Sequence, residues 1–216
     1  MGAAEADASA NPGAPARAGY RRSAGSKRGE ARRRDLLDRV SDDLAVNGLV
    51  DFSLRRAARA AGTTHKVLLY HFDGADDLLR QAILRLRERR ISDALAAATR
   101  GPAGRPLAAR VRAVGAVLMT EESGLRVLEQ AIGLAIYDPE RYATLGREAS
   151  EQYLPPLLSV LPEGWSDRRK LEVAEMILAV LQGFRVDWLT SGATARVAAE
   201  FDALTRALER EEAAGE

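Results

Sequence analysis

From about residue 29 to the end of the chain, apolar residues recur with a helical period, and no stretch alternates as a half-buried strand would. Leu36, Val40 and Leu44 fall at i, i+4 and i+8 with Leu37 beside them, and Gly48 after Asn47 is a helix stop, so a first helix is predicted over about 29–47. Ser53 is a good N-cap for a short second helix reaching about Ala60. Ala61-Gly62-Thr63 then makes a tight turn, a third short helix covers about 64–70, and Asp73-Gly74 breaks it. A long helix over about 75–98 places Leu79, Ala82, Ile83 and Leu86 on one face and ends in the Gly- and Pro-rich stretch 101–106. Five more helices are read at about 106–120, 123–136, 139–160, 167–190 and 194–212, separated by Ser123-Gly124, Asp138-Pro139, the 161–164 turn and Ser191-Gly192. The expected fold is all-α, three helices followed by six, with no internal repeat.

Composition narrows the class. Of the 216 residues, 46% are hydrophobic and 29% charged, which suits a globular chain with a real core. No apolar run reaches the length of a membrane span, and the first 29 residues lack the apolar core of a signal peptide. The complete absence of cysteine removes disulfides, thiolate metal sites and cysteine nucleophiles, and the expected location is the cytoplasm.

Charge then changes the picture. Residues 1–72 hold 13 Lys and Arg against 8 Asp and Glu, whereas 73–216 hold 19 against 23. Within 17–34, eight basic residues meet only Glu30. A basic end on a mildly acidic body points to a polyanion partner at that end alone. The expected organisation is a disordered basic arm over 1–27, a DNA-binding unit over 28–73, and a helical body over 74–216.

The stretch from Ser53 to Phe72, SLRRAARAAGTTHKVLLYHF, carries the strongest signal. Two helices cross closely around a three-residue turn only if their contact residues are small, and Ala57, Ala58 and Ala61 meet that need, with Gly62 supplying backbone freedom at the turn. Val67 and Leu68 can pack the later helix back on the earlier one. Thr63, Thr64, His65 and Lys66 are then left at its exposed N-terminal end, where such helices face the major groove. A plain packing corner would show the same small residues; the basic flank and the acid-free tip favour DNA.

Here the residues resemble the DNA-binding domain of the TetR family of transcriptional regulators. The resemblance runs through Ala58, Gly62, Thr64, Leu68, His71, Phe72 and Leu78 and covers about a fifth of the chain. The segment VLQGFRVDWL, which ends at Leu189, is similar to the family's penultimate helix. The resemblance implies a homodimer that binds double-stranded operator DNA, acting as a repressor released by a small-molecule effector, without enzymatic activity, cofactor or metal. The expected DNA contacts are Arg28, Ser53, Thr63, Thr64, His65, Lys66, Tyr70 and His71. Two positions depart from the family pattern: Leu69 stands where a phosphate-contacting Tyr is common, and Ala75 where a Lys often opens the next helix. Backbone contacts should therefore lean on Tyr70, His71 and the arm. His71 read from the residues alone could equally be a boundary residue packed under the helix end, and two lone histidines without Cys partners are a poor metal site.

Beyond residue 72 there is no His, no Cys and no Gly-rich phosphate loop, which argues against an enzyme. Met119, Glu129, Gln130, Ile132, Ile136, Tyr137, Tyr153, Met176 and Arg185 mix apolar wall with sparse polar groups, as effector sites do. Arg185, set in an apolar helix, needs a partner, and Glu129 or an anionic effector could serve. Helix 167–190 is apolar on two faces, and Val197, Phe201, Leu204 and Leu208 repeat at helical spacing in the last helix. A four-helix dimer interface containing Phe184, Trp188, Val197, Phe201, Leu204 and Leu208 is expected; a fully internal last helix is the alternative. The competing function from another class is an all-helical adaptor module that does not touch DNA.

Overall fold

A computed structural model describes residues 26–100, 104–120 and 122–214; the expected basic arm lies almost wholly outside the described residues. Those residues form α-helices and no strand. In chain order the helices are α1 (Lys27–Asn47), α2 (Leu54–Ala60), α3 (His65–His71), α4 (Ala75–Thr99), α5 (Leu107–Leu118), α6 (Glu122–Tyr137), α7 (Pro139–Ser159), α8 (Asp167–Ser191) and α9 (Thr194–Ala213).

Local chemistry explains most of the boundaries. Ser26 caps α1 by accepting from Gly29 N, Ser53 caps α2 by accepting from Arg56 N, and Asp138 caps α7 by accepting from Arg141 N. At the other end of α1, Gly48 takes φ 71°, a conformation that L side chains resist, and its N–H closes on Leu44 O. Pro155 and Pro156 sit in the last turns of α7, where they withhold two donors from the preceding turn without stopping the helix.

Two cores hold the chain. The first gathers Leu36, Val40 and Leu44 of α1, the alanines of α2, Leu68 and Phe72, and continues into Leu78, Ala82 and Ile83 of α4 and Val127, Leu128 and Ala131 of α6. The turn at Asp73-Gly74 therefore divides the chain but not the core: the small head is completed by helices that follow it. The second core joins Ala94 and Ala98 of α4 to α5, the end of α7, Trp165, α8 and α9. Helix α4 belongs to both and is the shaft between them.

Polar clasps fix α1 along that shaft. The fully buried Ser41 hydroxyl lies 2.8 Å from Leu37 O and 3.1 Å from Ala82 O, which needs α1 and α4 in close approach. Arg85 pairs with Asp38 and Arg89 with Asp42, each at 2.7 Å. These are half-exposed pairs, so each adds little stability, but they fix the register of the two helices.

Candidate nucleic-acid interface and ligand cleft

The corner between α2 and α3 is built from small side chains. Ala57, Ala58 and Ala61 are buried, Gly62 has φ 61°, and Thr63 N closes the turn on Ala58 O at 2.9 Å. Leu68 and Phe72 drop from α3 into the space the alanines leave. One guanidinium pins α2 in place. Arg56 Nε lies 2.8 Å from Asp43 Oδ2, while its Nη atoms donate to Val50 O and Gly48 O, each at 2.8 Å. Arg33 does the same at the far end of α3: it donates to His71 O at 3.3 Å and to Gln81 Oε1, with its guanidinium 5.0 Å from the Phe72 ring centre.

With the corner fixed, the N-terminal end of α3 projects outward. His65 and Lys66 are exposed. Thr64 begins the helix as its N-cap, its hydroxyl oxygen accepting from Val67 N at 3.4 Å, so that its hydroxyl proton alone is left for another acceptor. Thr63 is half-buried in the turn, and Ser53 is spent as the cap of α2 but remains exposed. Arg28 is exposed in the first turn of α1, and Arg55 and Arg59, which the sequence reading did not single out, are exposed on α2. None of these three arginines carries an ion pair among the described residues, whereas Asp35, Asp38, Asp42 and Asp43 of α1 are each held by an arginine. Leu69, one turn beyond His65, is also exposed.

Tyr70 and His71 lie at the other end of α3. The half-buried His71 ring meets Tyr70 edge-on at 4.8 Å and keeps Nδ1 enclosed without a partner. Burial, and then the charges of Arg33 and Arg32, hold its pKa below the ordinary 6.5. That placement is the one expected of a boundary residue packed under the helix end.

In the body, a narrow cleft opens between α4, α5, α7 and α8, lined by Ile91, Leu95, Val114, Leu118, Leu157, Leu178 and Leu181. Of the residues expected around an effector, Tyr153 and Arg185 line it, and Glu129 reaches it through Arg185, whose Nε lies 2.8 Å from Glu129 Oε1. The others are placed elsewhere. Tyr137 is 88% exposed, and Ile136 and Met176 are also exposed, so their side chains face away from the cleft. Met119 borders a different groove beside Trp188 and Phe201. Gln130 turns to the head, where its Oε1 accepts from Leu49 N at 3.1 Å. Arg87, 1% exposed, lies behind the cleft with its guanidinium 5.8 Å from the Tyr153 ring centre and was not foreseen; its signal was the run Ile83, Arg87, Arg90 and Ala94, in which two arginines continue the buried stripe of α4.

Of the expected dimer residues, half are buried in the protomer, while Phe184, Trp188 and Phe201 are half-buried, the last two bordering the groove beside Met119. Val197, Leu204 and Leu208 are buried, and Phe201 stacks on Phe184 at 4.8 Å, over an α5 that offers Gly115 to its ring. Val197, Leu204 and Leu208, enclosed by their own chain, are not available to a second copy. What α8 leaves outside is a different stripe: Met176, Ala179, Gly183 and Val186, exposed at alternating spacings of three and four.

This all-helical arrangement is the fold of TetR-family transcriptional regulators. No family model matches the sequence, and no curated protein matches it. Among solved structures, a TetR-family transcriptional regulator from Cytophaga hutchinsonii superposes with a TM-score of 0.65 at 15% identity, covering 85% of this chain and 96% of that one. A transcriptional regulator from Rhodococcus sp. Rha1 gives 0.61 at 21% identity, over 82% of this chain and 94% of that one. The multidrug binding protein EbrR, solved in complex with proflavin, gives 0.60 at 21%, over 81% and 98%. Among the described residues no helix is long and apolar enough to cross a membrane, and no three His, Cys, Asp or Glu side chains gather in a way that could hold a metal ion.

Proposed function

We propose that this chain is a ligand-responsive, DNA-binding transcriptional regulator of the cytoplasm, acting as a homodimeric repressor on a palindromic operator. The observation that carries the reading is the outward N-terminal end of α3, with Lys66 and His65 exposed on a corner held tight by small buried alanines. Arg28, Arg55 and Arg59 are exposed and carry no ion pair among the described residues, which suits phosphate contact, while Asp35, Asp38, Asp42 and Asp43 of α1 are each paired with an arginine. Lys66, His65 and Thr64 are the candidates for base contact, and Ser53, Tyr70 and the arginines for the backbone.

The cleft supports the second half of the reading. A mostly apolar space with two polar groups, Tyr153 and Arg185, has the usual make-up of a small-molecule site. EbrR, of the same fold, is a multidrug binding protein. The exposed α8 stripe is the surface we assign to the subunit contact, since Ala179 and Gly183 allow two helices to approach closely and Met176 and Val186 give them apolar area to bury. An electrophoretic mobility-shift assay with the DNA upstream of the chain's own gene tests the proposal: a salt-sensitive, competitor-resistant complex is expected, and binding no tighter than to random DNA would reject it.

A further inference from the structure

We propose that the ligand of this cleft is an apolar monocarboxylate, an acid with one anionic head on a hydrocarbon body, whose carboxylate is held by Arg185, with the positive charge of Arg87 behind it. The inference rests on reading the body as an effector domain and specifies the charge of the effector. Arg185 lines the cleft and is 2% exposed. Its Nε donates to Glu129, and among the described residues its two Nη groups make no hydrogen bond. Arg87 lies on the same aromatic ring: the two guanidinium carbons stand 5.8 Å and 5.9 Å from the ring centre of Tyr153. Arg87 Nη1 lies 3.2 Å from Gln152 Oε1, a neutral acceptor.

The buried guanidinium donors are not all matched by carboxylate acceptors. Two buried guanidiniums share one directly bonded carboxylate, Glu129. Glu148 acts on Arg87 through its charge alone, since its Oε1 pairs with Arg80 at 2.8 Å and its buried Oε2 has no hydrogen-bond partner among the described residues. Burial, followed by the like charge of Arg185, works against the protonated form of Arg87, and Tyr153 and Glu148 offset this only in part. A buried cation without a full partner is costly, and a carboxylate accepting from guanidinium N–H groups is the group that removes the cost. A cationic ligand would instead add a third positive charge. The walls are hydrocarbon, so the body of the acid is apolar.

Isothermal titration of the full chain with decanoate, decanol and decyltrimethylammonium, each kept below its aggregation limit, tests the charge directly. Decanoate is expected to bind at least tenfold more tightly than decanol, with no measurable heat from the ammonium compound. The paired variant Glu129→Gln with Arg185→Gln keeps shape and neutrality and should erase the preference for decanoate; Arg87→Gln gives the same readout should the pair fail to fold. Equal binding of decanol, or binding of the ammonium compound, overturns the anionic assignment and leaves the effector cleft standing. A folded variant that keeps the tenfold preference overturns the assignment to these arginines. Silence from all three probes overturns both this inference and the reading of the cleft as an effector site.

Discussion

The ring of Phe201 rests against the α-carbon of Gly115, so closely that a Cβ on residue 115 would collide with it. Helix α9 reaches α5 through that contact, and Phe184 of α8 closes on the other side of the same ring. Gly115→Ala forces the ring or the helix to move. Overpacking of this kind costs about 1–3 kcal/mol, read as a lower midpoint in chemical denaturation. A midpoint equal to that of the unchanged chain would show that Phe201 yields freely.

Subunit contact and protomer core separate by mutation. Leu204→Asp places a charge in the core and should unfold the protomer, with loss of helical circular dichroism. Met176→Asp with Val186→Asp changes side chains that are 41% and 48% exposed, and should yield a monomer with full helicity by light scattering. A dimer that survives the second variant would place the contact on another surface.

Specificity is expected to reside in Lys66. The exposed ammonium can donate to guanine O6 and N7, so Lys66→Ala should cost about 1–3 kcal/mol per half-site in operator binding while leaving thermal stability unchanged. Ala58→Leu should do the reverse, overpacking the corner. Equal losses on operator and random DNA from Lys66→Ala would make it a phosphate contact and transfer base reading to His65 or Thr64.

Titration of His71 should make the head sensitive to acid. Burial and the charges of Arg33 and Arg32 lower its pKa, so between that lowered value and 6.5 the unfolded chain binds more protons than the folded one. Stability contributed by the neutral ring is full above 6.5, falls as pH drops below it, and levels off beneath the folded value. Thermal melts from pH 8 to 5 should show this decline, and His71→Gln should flatten it. An equal slope in the variant would assign the acid sensitivity to other groups.

Helix placement was legible in the sequence because each boundary has a local cause: Ser53 and Asp138 cap, Gly48 and Gly192 stop, and the apolar period is continuous between them. The recognition corner was legible for the same reason, since Ala57, Ala58 and Gly62 answer to a steric demand inside twenty residues. Long-range arrangement was not. Leu204 and Leu208 have the same spacing whether they face their own α5 or a second subunit, and periodicity cannot choose between those destinations. Gln130 and Tyr137 share α6 with Glu129, but only the packing of α6 between head and body decides that Glu129 alone turns to the cleft. Arg87 was not singled out, because its burial depends on Tyr153 and Gln152, more than sixty residues away.

Glu129 and Gln130 are consecutive, about 100° apart around the axis of α6, and each grips a different half of the molecule. One peptide unit thus separates the hold on Arg185 from the hold on the amide of Leu49, in the turn that Arg56 ties to α2. A small roll of α6 moves both grips at once, without a relay of side chains between them. Such a linkage has no preferred direction. On the proposed function, whatever factor a cleft ligand imposes on the grip of the head for DNA, DNA imposes on the ligand, and a ligand that releases an operator is itself held less firmly while the chain is seated there than while it is adrift.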